Sequence, residues 1–179
     1  MTETGLSNIK TLFDEAEIAG RVDSLAEELA GVGFQSLMVI SILKGSFIFA
    51  ADLLRALHRK GMVPEVEFLH LASYGKELTS SGKITVVRDI ESDVEGRDIL
   101  LVDDILESGR TLAYAKNLLL ERGAARVGVV ALLDKPGKRK AEIEADYVGF
   151  ECPDKFVVGY GMDARHAWRQ LPFIGYMDE

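Results

Sequence analysis

The chain has 179 residues, 47% of them hydrophobic, and a formal charge of −8; that length suits one domain, residues 1–179, with a substantial core. The acidic balance argues against a broad electrostatic grip on nucleic acid and points to small-molecule partners. A single cysteine, Cys152, excludes an internal disulfide and lies in no metal-ligand spacing, which fits a reducing, cytoplasmic setting. The opening MTETGLSNIK lacks the basic start and apolar core of a signal peptide. The most apolar region, Leu37 to Leu54, is interrupted by Lys44 and Asp52, so it reads as strand, loop and helix and no membrane span is expected. No repeat, low-complexity tract or linker marks a domain boundary.

From Ala16 to Ala30, the residues Ile18, Val22, Leu25, Ala26 and Leu29 fall at helical intervals, and Gly31 with Gly33 supplies a stop, so an amphipathic packing helix is predicted. Leu37 to Leu43 is rich in apolar and β-branched residues and reads as a buried strand. It ends at Lys44-Gly45-Ser46, before a helical pattern from Phe47 to His58. Lys44 followed by Gly45 at such a turn can set a cation and a close backbone approach against an anion; an exposed lysine at a helix start is the plainer reading. Val66 to Leu71 alternates in part and ends at Ser73-Tyr74, after which Gly75 to Gly82 is polar and glycine-bounded. This reads as a mobile loop, by composition a hairpin connection, with Lys83 to Val87 as the returning strand.

The chain is organised around ILLVDDILESGRTL, from Ile99 to Leu112. Ile99 to Val102 is apolar without alternation, a buried strand of a parallel sheet, and is expected to stop at Asp103 and Asp104. A polar turn follows, then Leu112 to Glu121 with Leu112, Ala115, Leu118 and Leu119 at helical spacing. A helix N-terminus presents unpaired N–H groups, and the hydroxyls of Ser108 and Thr111 can cap it or donate to an anion. Two carboxylates about 4 Å apart repel by about 4 kcal/mol at an effective dielectric of about 20, so Asp103 and Asp104 need a cation or hydroxyl donors. A phosphate, vicinal hydroxyls and a divalent metal meet all these needs, as a ribose phosphate does; a strand end with a helix cap is the bland alternative.

Gly123 suits a helix C-cap, and Arg126 to Leu133 is a further apolar strand. It runs into Asp134-Lys135 and a basic cluster, Pro136-Gly137-Lys138-Arg139-Lys140, which by composition is a solvated turn. Strands and helices alternate through the middle of the chain. An α/β fold with a mainly parallel central sheet flanked by helices follows, with ligands at the carboxyl ends of the strands.

The central segment closely resembles the phosphoribosyl pyrophosphate (PRPP) binding motif of type I phosphoribosyltransferases, a hydrophobic strand, two acids and a turn of the type Asp-Thr/Ser-Gly-Lys/Arg-Thr. The segment ADYVGFECPDKFVVGYGMD, Ala145 to Asp163, resembles the hypoxanthine-guanine subgroup. The resemblance runs from about Leu37 to Arg169. It implies a small hood built from terminal segments, a flexible loop, and transfer of ribosyl 5-phosphate from PRPP to a ring nitrogen of a 6-oxopurine with release of pyrophosphate. By the same resemblance Asp103 and Asp104 hold the ribose hydroxyls, and Glu107, Ser108, Gly109, Arg110 and Thr111 cradle the 5-phosphate. Leu43-Lys44-Gly45 matches the pyrophosphate loop, in which the family often has a cis peptide, and Arg169 serves the same group. Lys135 donates to the exocyclic oxygen of the purine, Phe156 stacks on it, and Val157 offers backbone groups to its edge. Ser73 and Tyr74 begin a lid that excludes water. Mg²⁺ is implied as cofactor, held by Asp103, Asp104 and Asp163. Taken without the resemblance, Phe156 reads as a core aromatic and Arg169 as a surface charge.

The chain departs from the family at the first position of the turn, where Glu107 stands in place of the usual aspartate. One added methylene moves the carboxylate by roughly 1 Å, which can cost about a hundredfold in rate unless the surroundings adjust. The expectation is that Glu107 keeps the acid/base role toward purine N7 with an adjusted geometry. Two alternatives stand beside hypoxanthine transfer: an enzyme preferring guanine or xanthine, and an RNA-binding regulator on the same fold. A homo-oligomer, dimer or tetramer, is implied by resemblance alone.

Overall fold

The computed structural model describes residues 9–73 and 84–177. Its elements follow the apolar periodicity closely. Strand β1 (Ile9–Phe13) leads into helix α1 (Glu15–Ala30), whose start is set by a capping box. Asp14 accepts from the Glu17 N–H and Glu17 accepts from the Asp14 N–H, each at 2.8 Å, so two otherwise unpaired donors are satisfied. Ile18, Val22, Leu25, Ala26 and Leu29 form the buried stripe, as the spacing predicts, and Gly31 caps the end. Strand β2 (Met38–Leu43) is buried along nearly its whole length and turns through Lys44 to Ser46 into helix α2 (Phe47–Arg59). Strands β3 (Glu65–Ser73) and β4 (Ile84–Arg88) follow. Ser73 ends β3; Tyr74, the loop Gly75 to Gly82 and Lys83 lie outside the described residues.

Strand β5 (Asp98–Leu106), helix α3 (Arg110–Glu121), strand β6 (Arg126–Asp134) and strand β7 (Tyr147–Glu151) complete the main layer. The six-stranded sheet has the order β4-β3-β2-β5-β6-β7, with only β4 antiparallel to its neighbour. One face buries α1 and α2 through Leu25, Leu29, Phe49, Leu53 and Leu57. The other buries α3 through Leu112, Ala115 and Leu119. Each such fully buried Leu or Phe contributes about 1.5–3 kcal/mol. Beyond the sheet, β1 pairs with β9 (Ile174–Met177), and β9 with β8 (Val157–Val158), all antiparallel. The two ends of the chain thus build a small hood.

Around the acid pair, two details differ from the sequence reading. Strand β5 does not stop at its acids but continues through them to Leu106, because β6 runs alongside and pairs Asp103 with Ala131, Ile105 with Leu133 and Leu106 with Asp134. Helix α3 begins at Arg110, two residues before Leu112, and its N-cap is Gly109 in the left-handed region at φ 75, without a side-chain cap. A residue without Cβ makes the turn, Thr111 lies inside the helix, and the Ser108 hydroxyl accepts from the Arg110 N–H at 3.5 Å.

Candidate active site

In the sheet order, the chain leaves β2 for β3 on one side and returns as β5 on the other. The loops after β2 and β5 diverge there, opening a crevice at the strands' carboxyl ends, the place where open α/β sheets bind ligands. Lys44 and Gly45 follow β2; Asp103 and Asp104 lie toward the carboxyl end of β5, and the turn Glu107 to Gly109 follows it.

The turn after β2 is pinned from below. The buried Ser46 hydroxyl donates to the Ile42 carbonyl at 2.5 Å and meets the Ser41 hydroxyl at 2.7 Å. The Leu43–Lys44 peptide is cis. A methyl group at Gly45 would overlap the Asp104 carboxylate, and one at Gly161, at φ 102, would overlap the Gly45 carbonyl. Three chain segments therefore meet at two glycines, and Lys44-Gly45 lies directly against the acid pair. Arg169 closes this end. Its guanidinium donates to the Gly161 carbonyl at 2.6 Å and pairs with Asp163 at 2.5 Å, while the other Asp163 oxygen accepts from the His166 N–H at 2.7 Å.

Burial pushes the Asp103 carboxyl well above the usual carboxylate range, and the charge of Asp104 adds to the shift. Burial raises Asp104 too, against donation from neighbouring groups and the field of Arg169. The Asp104 N–H donates to Asp103 and the Ile105 N–H to Asp104, each at 3.0 Å. Two adjacent acids, one buried and one half-buried, with raised carboxyls are a poor arrangement unless a cation or hydroxyl donors arrive. This donor set fits Mg²⁺, which takes one or two carboxylates and keeps substrate oxygens for the rest of its octahedron. Among the described residues no three metal-ligating side chains gather into a preformed cage, and Asp163 lines the same cleft while engaged by Arg169.

At the other end, Lys135 is only 6% exposed. Its ammonium donates to Glu107 Oε1 at 2.9 Å and to the Lys155 carbonyl at 3.1 Å, with Asp154 at 3.6 Å. Lys138 pairs with Asp154 at 2.6 Å. Phe156 is 59% exposed, so it is not a core aromatic; its ring opens onto the cleft. A cavity of about 200 Å³ is lined by Asp104, Glu107, Lys135, Phe156, Val157 and Asp163 together. A neighbouring one of about 440 Å³ continues past Lys138 and Asp154.

The cleft thus joins the acid pair, the Lys-Gly turn, Glu107, Lys135, Phe156, Val157, Asp163 and Arg169. Arg110 is exposed at the start of α3 and Thr111 half-buried beside it. Sequence reasoning passes over Ser46, Lys138 and Asp154. The basic cluster in an acidic chain was the signal for Lys138, but a partner sixteen residues away carries no local pattern. A larger cavity, about 1070 Å³, lies apart along α3 and the segment after β6, and contains none of the site residues named from the sequence.

Residues 8–165 match the family model described as phosphoribosyl transferase domain. The hypoxanthine-guanine phosphoribosyltransferase of Bacillus subtilis is 43% identical over 94% of this chain and 92% of its own length. That of Aquifex aeolicus is 42% identical over 100% of this chain and 99% of its own. A solved hypoxanthine phosphoribosyltransferase from Staphylococcus aureus superposes with a TM-score of 0.91 at 36% identity, covering 99% of this chain and 96% of the other.

Proposed function

The chain belongs to the phosphoribosyl transferase domain family, and on that premise we propose that it is a purine-salvage hypoxanthine phosphoribosyltransferase, converting hypoxanthine and PRPP to the nucleoside monophosphate and pyrophosphate, with guanine as a further substrate. The observation that carries this reading is one crevice holding an acid pair and a Lys-Gly turn at one end and a buried lysine beside an open aromatic ring at the other.

The ring of Phe156 takes the face of the base, and Val157 offers backbone groups to its edge. Lys135 donates to the exocyclic oxygen; an amino group there would set donor against donor, which selects 6-oxopurines. Ser108, Gly109, Arg110 and Thr111 cradle the 5-phosphate, and Asp103 and Asp104 take the ribose hydroxyls. The anomeric carbon loses the pyrophosphate oxygen, which departs with the bonding pair, and gains a bond to a purine ring nitrogen. The displaced ring proton is accepted or shared by Glu107. Lys44 and Arg169 stabilise the charge that grows on the leaving group. Asp103 and Asp104 would hold Mg²⁺, with Asp163 near by, and the ion when bound supplies further countercharge for pyrophosphate. Ser73 and Tyr74 begin the lid. A preference for guanine or xanthine is the second reading, because the 2-position faces backbone groups that serve either base.

The protein works as a single domain, residues 1–179, in the cytoplasm; among the described residues no helix is long and apolar enough to cross a membrane. It associates with itself. Val66 and Phe68 on β3 and Val87 on β4 are exposed apolar side chains, the kind of surface that an interface covers.

The test is catalytic efficiency with PRPP and Mg²⁺ across hypoxanthine, guanine, xanthine, adenine and uracil. Turnover of hypoxanthine, little of adenine, and loss on chelation are expected. PRPP binding without turnover of any base would overturn the enzyme reading and move the question to RNA binding.

A further inference from the structure

We infer that Arg139 is a positioning residue that holds the phosphate-cradle turn and the base-reading Lys135 in one geometry, an inference resting on the functional reading above. The basic cluster Pro136 to Lys140 reads in sequence as a solvated turn, and Pro136, Gly137, Lys138 and Lys140 are indeed exposed. Arg139 is not. Its side chain is 20% exposed and turns inward, donating from Nη1 to the Glu107 carbonyl at 3.1 Å and from Nη2 to the Asp134 carboxylate.

The residues beside it complete the grip. The N–H groups of Lys140 and Ala141 both donate to the Ser108 carbonyl, at 2.9 and 3.1 Å. A methyl group at Gly109 would meet Ile143 and the stem of Arg139, so this segment also packs beneath the turn. The consequence follows from peptide geometry. These peptides are trans, and in a planar trans peptide the N–H points opposite to the preceding C=O. Carbonyls 107 and 108 are fixed toward the segment 139–141, so the N–H groups of Ser108 and Gly109 are fixed the other way. Those are the donors that the start of α3 offers to a phosphate. Through Asp134 the same guanidinium braces the residue that carries Lys135. One side chain therefore sets the distance between the phosphate end and the base end of the cleft. The planar fork matters here, since Nη1 and Nη2 reach the two partners from separate atoms, whereas the donors of a lysine share one nitrogen.

The experiment compares the parent enzyme with R139M, which keeps the packing stem, and R139K, which keeps stem and charge. KM is measured for PRPP and for hypoxanthine, and ribose 5-phosphate affinity by calorimetry. R139M should raise the KM for PRPP and weaken ribose 5-phosphate by about tenfold, and raise the KM for hypoxanthine by about threefold, since the hold on Lys135 through Asp134 is the less direct one. R139K should lie between, and decides the matter should R139M fail to fold. Folded variants with PRPP KM and ribose 5-phosphate affinity within about twofold of the parent would overturn the inference. A parent protein that binds ribose 5-phosphate but turns over no purine fails the functional reading instead, and the affinities of the variants then still decide the role of Arg139.

Discussion

Strand β5 carries aspartate at its start and toward its carboxyl end, and the two ends live in opposite electrostatic settings. At its start, Asp98 accepts from the Gln35 N–H at 2.6 Å and from Arg126 at 2.8 Å. The Arg126 guanidinium holds its carboxyl below the usual range and lies over the Phe34 ring at 4.6 Å. At its end, Asp103 and Asp104 are raised by burial, and Asp103 by its neighbour's charge as well. The same residue type on the same strand is stabilising where a partner completes it and costly where the partner is absent. The second arrangement persists where ligands bind, which is where a strained charge pair gains most from an incoming cation or hydroxyl.

Substitution at the costly end has the largest expected effect. D103N should lower kcat/KM by about a thousandfold, the scale of losing a charge-stabilising group in a dry site. The same change should stabilise the ligand-free protein. A carboxyl raised in the folded state binds its proton more tightly there than in the unfolded chain, so stability falls as pH rises from about 4 through the folded value. Thermal unfolding should therefore show D103N gaining a few degrees, about 2–4 °C, and gaining more at pH 8 than at pH 5. A destabilised D103N would break the comparison.

E107Q comes next. It keeps the shape of the side chain but not its capacity to take a proton, and turnover should fall by about a hundredfold. Single-turnover kinetics with hypoxanthine would show it. Unchanged turnover would leave Glu107 as no more than the partner of Lys135.

The smallest effect belongs to the paired end. D98N should cost about 1 kcal/mol of stability and leave kinetics untouched. The Asp98 carboxyl is lowered on folding, so its contribution is present above about pH 4 and is lost as pH falls through the folded value. The difference between D98N and the parent should accordingly shrink in acid, as chemical denaturation at pH 7 and pH 3 would reveal. A kinetic defect in D98N would mean that the two ends of β5 are coupled.

Much of this was legible in the residues alone. The stripe Ile18 to Leu29, the apolar run before Lys44 and the run Ile99 to Val102 specify helix and strands because side-chain period follows backbone geometry over a few residues. The central motif and the Pro-Asp-Lys-Phe-Val-Val stretch carried the chemistry, since each is a contiguous segment serving one part of a ligand. Neighbouring residues carry no record of what lies across the sheet. The order β3-β2-β5, the hood pairing of β1 with β9, and the continuation of β5 past its acids were decided by strand partners remote in sequence. So were the meeting of Gly45, Gly161 and Asp104, the contact of Glu107 with Lys135, and the inward turn of Arg139. The local chain determined which groups are available; only the tertiary structure decided their distances, because burial, pairing and repulsion act through space between residues that the sequence keeps apart.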